Sequence, residues 1–256
     1  MKRIVIVGGA GRMGQAMAEG LGAVEGFSVE VLVDLGVPRE LGTARYVATI
    51  DEVSAEDVDV VVDFSVPESV VASANWCARH GVPLVIGTTG LTPDQRRSVV
   101  EASTRVGVVI ASNFSIGAVL SERFAVQAAA YFDRVEIIEL HHDRKLDAPS
   151  GTSIATAKAV AAARSAAQRA PLEDPTVRHT VPGARGADVV GGVRIHSVRL
   201  PGLVAHQEIL FGGPGEGLTI RHDSFDRASF VQGVILALRA IGRSPRLLEG
   251  IDSLVV

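Results

Sequence analysis

The chain has 256 residues, 47% of them hydrophobic and 21% charged, which is the balance of a globular protein with a real core and enough length for one large or two small domains. Lys and Arg number 25 against 29 Asp and Glu, a net charge of −4, and no basic block or aromatic-interleaved Lys/Arg stripe occurs, so nucleic acid is not an expected partner. No stretch approaches the roughly 20 apolar residues that span a bilayer, and the apolar run at the N-terminus breaks into glycines too early for a signal peptide, so no membrane partner is expected. The single cysteine, Cys77, cannot form an internal disulfide and reads as a small core residue in a reducing, cytoplasmic setting.

The first half alternates short Val/Ile runs with helical segments. Residues 3–7 (RIVIV) form the first expected strand, followed by the turn GGAGRMG and a helix over 12–24. The turn places Gly8, Gly11 and Gly14 between strand and helix, with Gly9 keeping it flexible. Free amides and the positive end of the helix dipole meet there, a setting for a pyrophosphate. Gly8 permits the tight turn, Gly11 lets the backbone approach a pyrophosphate, and Gly14 allows helix to pack on strand. The spacing is G-x-x-G-x-x-G, one step off the usual form. Asp34 ends the next strand (29–34), where an acid meets ribose hydroxyls. It favours NADH over the 2′-phosphate of NADPH, and Leu35 supplies no arginine. Arg12 is within reach of a phosphate. The alternative is a glycine turn kept for packing alone.

Further strands are expected over 58–64, 83–87 and 106–112, with helices over about 68–80 and 92–105. Near-continuous apolar runs of this kind are parallel strands covered on both faces. Their carboxyl ends carry FSVP (64–67), GTTG (87–90) and SNFS (112–115), at the edge where such sheets bind ligands. Gly87, Thr88 and Thr89 can offer backbone groups and hydroxyls to a nicotinamide carboxamide.

The second half reads differently. A helix is expected over 118–132, a strand over 134–142 and an Ala-rich helix over 150–169, followed by a long Pro- and Gly-containing loop over 170–188. Strands over 193–200, 204–212 and 218–224, separated by Pro-Gly and Gly-Pro-Gly, read as an antiparallel meander. A last helix over about 225–242 closes the chain. The fold class is α/β: a doubly wound parallel-sheet domain over 1–112, completed by 224–256, plus an α+β domain over 113–223 with a mostly antiparallel (mixed) sheet.

The stretch ELHHDRKLDAPSGTS (139–153) concentrates the chemistry. His141 and His142 are adjacent, so on a strand they face opposite ways, which argues against one shared metal ion; no metal site is expected. A plain polar loop with satisfied histidines stays open, as do two functional readings. One is acid/base work by His141, with Lys145 folding back to lend charge or a proton. The other is anion capture by free amides where Ser150, Gly151 and Thr152 open a helix.

The motifs VGGAGRMG, DFSVPES, GTTG, SNFSIG, ELHHDRKLDAPSGTS, IHSVR and HDSFDRASFVQG follow one another from residue 7 to 233. In these the chain resembles the 4-hydroxy-tetrahydrodipicolinate reductase family, also called dihydrodipicolinate reductase, of bacterial lysine and diaminopimelate biosynthesis. The resemblance implies a Rossmann-like domain completed by the final helix, a C-terminal domain for substrate and subunit contacts, and a homotetramer. It implies NADH and/or NADPH as cofactor and a small cyclic dicarboxylate as substrate. It makes His141 the proton donor or acceptor and Lys145 a second donor, with His142, Gly151, Thr152 and Arg227 at the substrate. Gly8, Gly9, Ala10, Gly11, Arg12, Met13, Asp34, Gly87, Thr88, Thr89, Ser112, Asn113 and Phe114 would line the cofactor. Leu35 departs from the arginine many relatives carry after the ribose acid, Ser112 replaces a proline, and LVAHQEILFG differs from the common Gly-Glu-His. Two other readings remain: another two-domain NAD-dependent dehydrogenase, or a dinucleotide-sensing protein without catalysis.

Overall fold

A computed structural model of the protein describes residues 1–37 and 42–255. The chain divides into two compact units, Met1–Ile116 with Arg227–Val256, and Gly117–Asp226. These divisions fall a few residues later than the sequence patterns suggest, because the fourth helix opens at Ile116 and the last β-strand of the second unit runs to Ser224.

The first unit holds a seven-stranded parallel sheet. Its strands are β1 (Lys2–Val7), β2 (Phe27–Val33), β3 (Arg45–Val47), β4 (Val60–Asp63), β5 (Leu84–Ile86), β6 (Gly107–Ile110) and, after the second unit, β12 (Arg246–Glu249). The order is β12-β6-β5-β4-β1-β2-β3. The chain therefore reverses direction across the sheet between β1 and β4, as in doubly wound folds. β4, β5 and β6 are buried along their whole length, which is why they read as unbroken apolar runs. Helices α1 (Arg12–Gly22), α2 (Pro67–His80) and α3 (Pro93–Ser103) connect them. Pro67 and Pro93 sit at helix starts, where their missing N–H costs nothing. Thr92 and Gln95 close a capping box on α3. The expected helix over 225–242 is instead a 3₁₀ turn, Arg227–Phe230, followed by α6 (Val231–Ala240). α6 packs on α1, where Val231 lies so close to Gly20 that a Cβ there would sit 2.6 Å from it.

The second unit holds a five-stranded sheet of β7 (Arg134–His141), β8 (Ala187–Val190), β9 (Val193–Arg199), β10 (Ala205–Gly213) and β11 (Glu216–Ser224). α4 (Ile116–Ala129) precedes it and α5 (Gly151–Ala166) follows β7. The order is β11-β10-β7-β9-β8. The expected antiparallel meander of the last three strands is incorrect. β10 and β11 form a hairpin, but β9 lies on the other side of β7 and runs parallel to it. Pro201-Gly202 is therefore no hairpin turn. Residues 200–204 step over the end of β7 at His141, which is paired with both Arg199 and Ala205. Val135, Ile137, Ile209 and Phe211 on one face pack against Ala157 and Val160 of α5. The long loop before β8 is pinned at both ends: Asp174 meets Arg194 at 3.0 Å, and Arg185 pairs with Glu136.

Candidate active site

In the first unit the chain turns from β1 into α1 through Gly8, whose φ of +84° suits glycine. The Gly11 amide closes the turn on the Gly8 carbonyl at 3.0 Å, and Gly11 is the residue before the first turn of α1. A Cβ on Gly14 would lie 2.1 Å from the Gly8 carbonyl oxygen, so helix and turn touch backbone to backbone. Asp34, just past β2, accepts the Ala10 amide at 2.9 Å and the Gly36 amide at 3.0 Å. A cavity of about 820 Å³ borders the turn and is lined by Ala10 and Arg12. Arg227, expected among the substrate residues, belongs to the first unit and lines this same cavity.

A second cavity of about 330 Å³ gathers Met13, Gly87, Thr88, Thr89, Ser112 and Phe114 at the carboxyl edge of the sheet. Phe64 and Ser65, from the FSVP strand end, and Phe230 complete its wall. The Phe64 ring leaves room for no side chain at Gly87, where a Cβ would sit 1.9 Å away. Phe64 meets the buried Phe114 edge-on at 5.7 Å. Asn113 points elsewhere, accepting the Ser115 amide at 2.8 Å ahead of α4.

The loops of this edge are held by Asp63, fully buried at the end of β4. It accepts hydroxyl hydrogen bonds from Ser65 and Ser73 at 2.6 Å and from Thr88 at 2.8 Å. Burial pushes its carboxyl above the usual range, against the pull of those three donors. The Thr88 hydroxyl, which also accepts the Ser65 amide at 2.8 Å, is thus committed inward. Of the two threonine hydroxyls, it is that of the exposed Thr89 which stays on offer beside the backbone groups of 87–89. A carboxylate inside an apolar strand was the signal that could have flagged Asp63.

In the second unit His141 is the last residue of β7. Its Nδ1 is hydrogen-bonded to the carboxylate of Glu139, two residues earlier on the same face. Burial works against the charge of Glu139, yet hydrogen bonds from His141, Arg199 and Ser197 outweigh it and hold its carboxyl down at about 2. A turn follows, with the Lys145 amide donating to the His142 carbonyl at 3.2 Å. Lys145 Nζ reaches both oxygens of Asp147, at 2.8 and 2.9 Å. That bond holds the Asp147 carboxyl below its ordinary range. His142 Nδ1 is buried with no hydrogen-bond partner among the described residues.

α5 opens at Gly151, capped by Ser150, whose hydroxyl accepts the Ser153 amide at 3.2 Å. A buried chain of hydroxyl and amide contacts anchors this helix start, from Ser153 to Gln207 of β10 at 2.6 Å and from Gln207 to Thr156 at 3.2 Å. Gly151 and Thr152 are exposed, and a Cβ on Gly151 would meet nothing within 4 Å. An open helix start of this kind, its amides without intrahelical partners, suits a carboxylate. Among the described residues no group of three or more His, Cys, Asp or Glu could hold a metal ion, and no helix is long and apolar enough to cross a membrane.

A glycine-turn parallel sheet with an acid just past its second strand, joined to a mixed-sheet unit bearing a His/Lys cluster, defines a two-domain dinucleotide-dependent oxidoreductase. The family described as dihydrodipicolinate reductase matches this chain with its N-terminal part over residues 2–114 and its C-terminal part over 117–254. The chain belongs to that family. It is 48% identical to the 4-hydroxy-tetrahydrodipicolinate reductase of Nocardia farcinica, over 98% of this chain and 97% of that one. It is 44% identical to the protein of that name from Enterococcus faecalis, over 100% of both. A solved structure of a dipicolinate-bound dihydrodipicolinate reductase from Paenisporosarcina sp. TG-14 shares 38% identity and superposes with a TM-score of 0.86, covering 99% of each chain.

Proposed function

We propose that the protein reduces 4-hydroxy-tetrahydrodipicolinate to tetrahydrodipicolinate, with net loss of the hydroxyl as water, in diaminopimelate and lysine biosynthesis. The observation that carries the reading is the segment from Glu139 to Ser153. It sets a hydrogen-bonded His141 and a carboxylate-paired Lys145 just ahead of an open helix start.

The turn from Gly8 to Met13, Asp34 and the loops at Gly87–Thr89 and Ser112–Phe114 would hold NADH and/or NADPH, which would supply a hydride when bound. The fit rests on the close-packed Gly8–Gly14 contact and on an Asp34 carboxylate already fixed by two amides. The substrate gains negative charge as it is reduced, and His141 delivers the compensating proton. Such a donor contributes on the order of 10²–10⁴-fold. Lys145 is the second donor. The orphaned, buried Nδ1 of His142 and the open amides of Gly151 and Thr152 grip the substrate's carboxylates. The similar Paenisporosarcina enzyme holds dipicolinate, which supports a small dicarboxylate here. Arg227 belongs to this reading through the cavity it lines together with Arg12, where it serves an anionic group.

The first unit serves the cofactor and the second the substrate and subunit contacts. The assembly is a homotetramer in the cytoplasm. Half-buried Ile138, Leu140 and Leu210 on the sheet face away from α5 support subunit contacts, and a lone buried Cys77 suits a reducing compartment.

The test is a coupled assay with pyruvate, aspartate semialdehyde and a dihydrodipicolinate synthase, followed through NADH or NADPH absorbance. Synthase-dependent oxidation is expected; its absence with both cofactors would sink the reading.

A further inference from the structure

Glu139 is wholly buried, where an unpaired carboxylate would be costly. Arg199, on the parallel neighbour β9, donates one hydrogen bond of 2.8 Å to each of its oxygens. Ser197, opposite Glu139 in the register, donates a further one. The same guanidinium reaches the Asp147 carbonyl at 2.7 Å, and the Asp147 carboxylate holds Lys145. One arginine therefore joins the strand that carries His141 to the loop that carries Lys145.

The direction of the His141 bond follows from this arrangement. A carboxylate that receives Arg199 on both oxygens can only accept. The proton in the contact with Glu139 must then sit on Nδ1 of His141. That leaves Nε2 as the exchanging nitrogen, carrying a proton in the imidazolium and a lone pair in the neutral ring. A histidine without such a partner samples both tautomers and turns about χ2.

We propose that Glu139, clamped by Arg199, is a positioning residue for proton transfer: it fixes the His141 proton on Nδ1 and presents Nε2 for exchange, while Arg199 sets the Lys145 loop. This rests on His141 acting as the proton donor in the function proposed above. Carboxylate–histidine pairs orient a ring in the same way in other sites.

The experiment reads the ring directly. Enzyme labelled with ¹⁵N-histidine is examined by long-range ¹H–¹⁵N correlation at about pH 8, above the ordinary range of histidine titration. A His141→Asn sample assigns the signal. The wild-type ring is expected to carry its proton on Nδ1; a ring protonated mainly on Nε2 overturns the proposal before any variant is made. Glu139→Gln alone would strand the Arg199 charge, so the variant is the double change E139Q/R199M. It is expected to shift the ring toward the Nε2–H tautomer and to lower kcat on the order of 10²-fold, with the KM for NADH held within about twofold. An unchanged tautomer overturns the proposal, and so does an altered tautomer with unchanged kcat. The ring spectra need no turnover. If the coupled assay fails for the wild type, the reaction assigned above falls, and the tautomer alone then decides the role of Glu139.

Discussion

Asp34 receives the Ala10 amide at 2.9 Å, so the acid just past β2 is fastened to the glycine turn. Its second oxygen takes the Gly36 amide at 3.0 Å. Each oxygen keeps a lone pair for a ribose hydroxyl, while a 2′-phosphate there meets like charge. Asp34→Asn keeps an oxygen for the Ala10 amide and removes the charge. The ratio of kcat/KM for NADPH to that for NADH should rise about tenfold, or ~1.4 kcal/mol. Steady-state kinetics with both cofactors checks this, and equal changes for the two would remove Asp34 from the discrimination.

Gly14 is held by packing alone. A methyl group there would sit 2.1 Å from the Gly8 carbonyl oxygen and 2.9 Å from the Gly9 Cα, and both are backbone atoms. Neither can swing aside as a flexible side chain would. Gly14→Ala should therefore cost about 1–3 kcal/mol, seen as a lower urea midpoint, and weaken NADH binding. A variant as stable as the wild type would show that helix and turn can separate freely.

Much of the first unit was legible because its strands are buried on both faces and spell themselves in Val and Ile. β3 and β12 were not, since a three-residue RYV and a four-residue RLLE at sheet edges carry no run long enough to notice. The second unit was harder for a topological reason. Pro201-Gly202 looks like a hairpin turn, and nothing local reveals that β9 pairs in parallel with β7. With that pairing hidden, Arg199 reads as an ordinary strand residue, and its link to Glu139 and Asp147 is invisible. Glu139 itself was readable: on a strand, a carboxylate two residues before His141 must share its face. Asp147, unplaced by sequence reasoning, carries a carboxylate for Lys145 and a carbonyl for Arg199.

The open ground around Gly151 separates ligand binding from packing. A Cβ there would touch nothing within 4 Å, and alanine narrows the unfolded chain's freedom relative to glycine. Gly151→Ala should therefore leave the melting temperature unchanged or slightly raised. If the amides of Gly151 and Thr152 hold a carboxylate at close range, the methyl group intrudes, and the KM for the dicarboxylate should rise about tenfold. The coupled assay and a thermal melt on one sample decide. A higher melting temperature with unchanged KM would remove Gly151 from the substrate site.

The buried Glu139 also sets a pH dependence of stability. Its carboxyl lies at about 2 in the folded protein against an ordinary 4.5. The folded pKa is depressed, so the native state takes up this proton less readily than the unfolded chain. The associated stability is fully present above about pH 4.5 and is lost as pH falls toward 2, roughly 3 kcal/mol in all. About 2 kcal/mol of it should disappear between pH 5 and pH 3. Asp59 and Glu136 are also held low and add to acid sensitivity, but they are common to wild type and E139Q/R199M. Urea unfolding at both pH values should give the wild type a drop about 2 kcal/mol larger than that of the double variant. Parallel drops would mean that Arg199 and His141 do not hold the Glu139 carboxyl down.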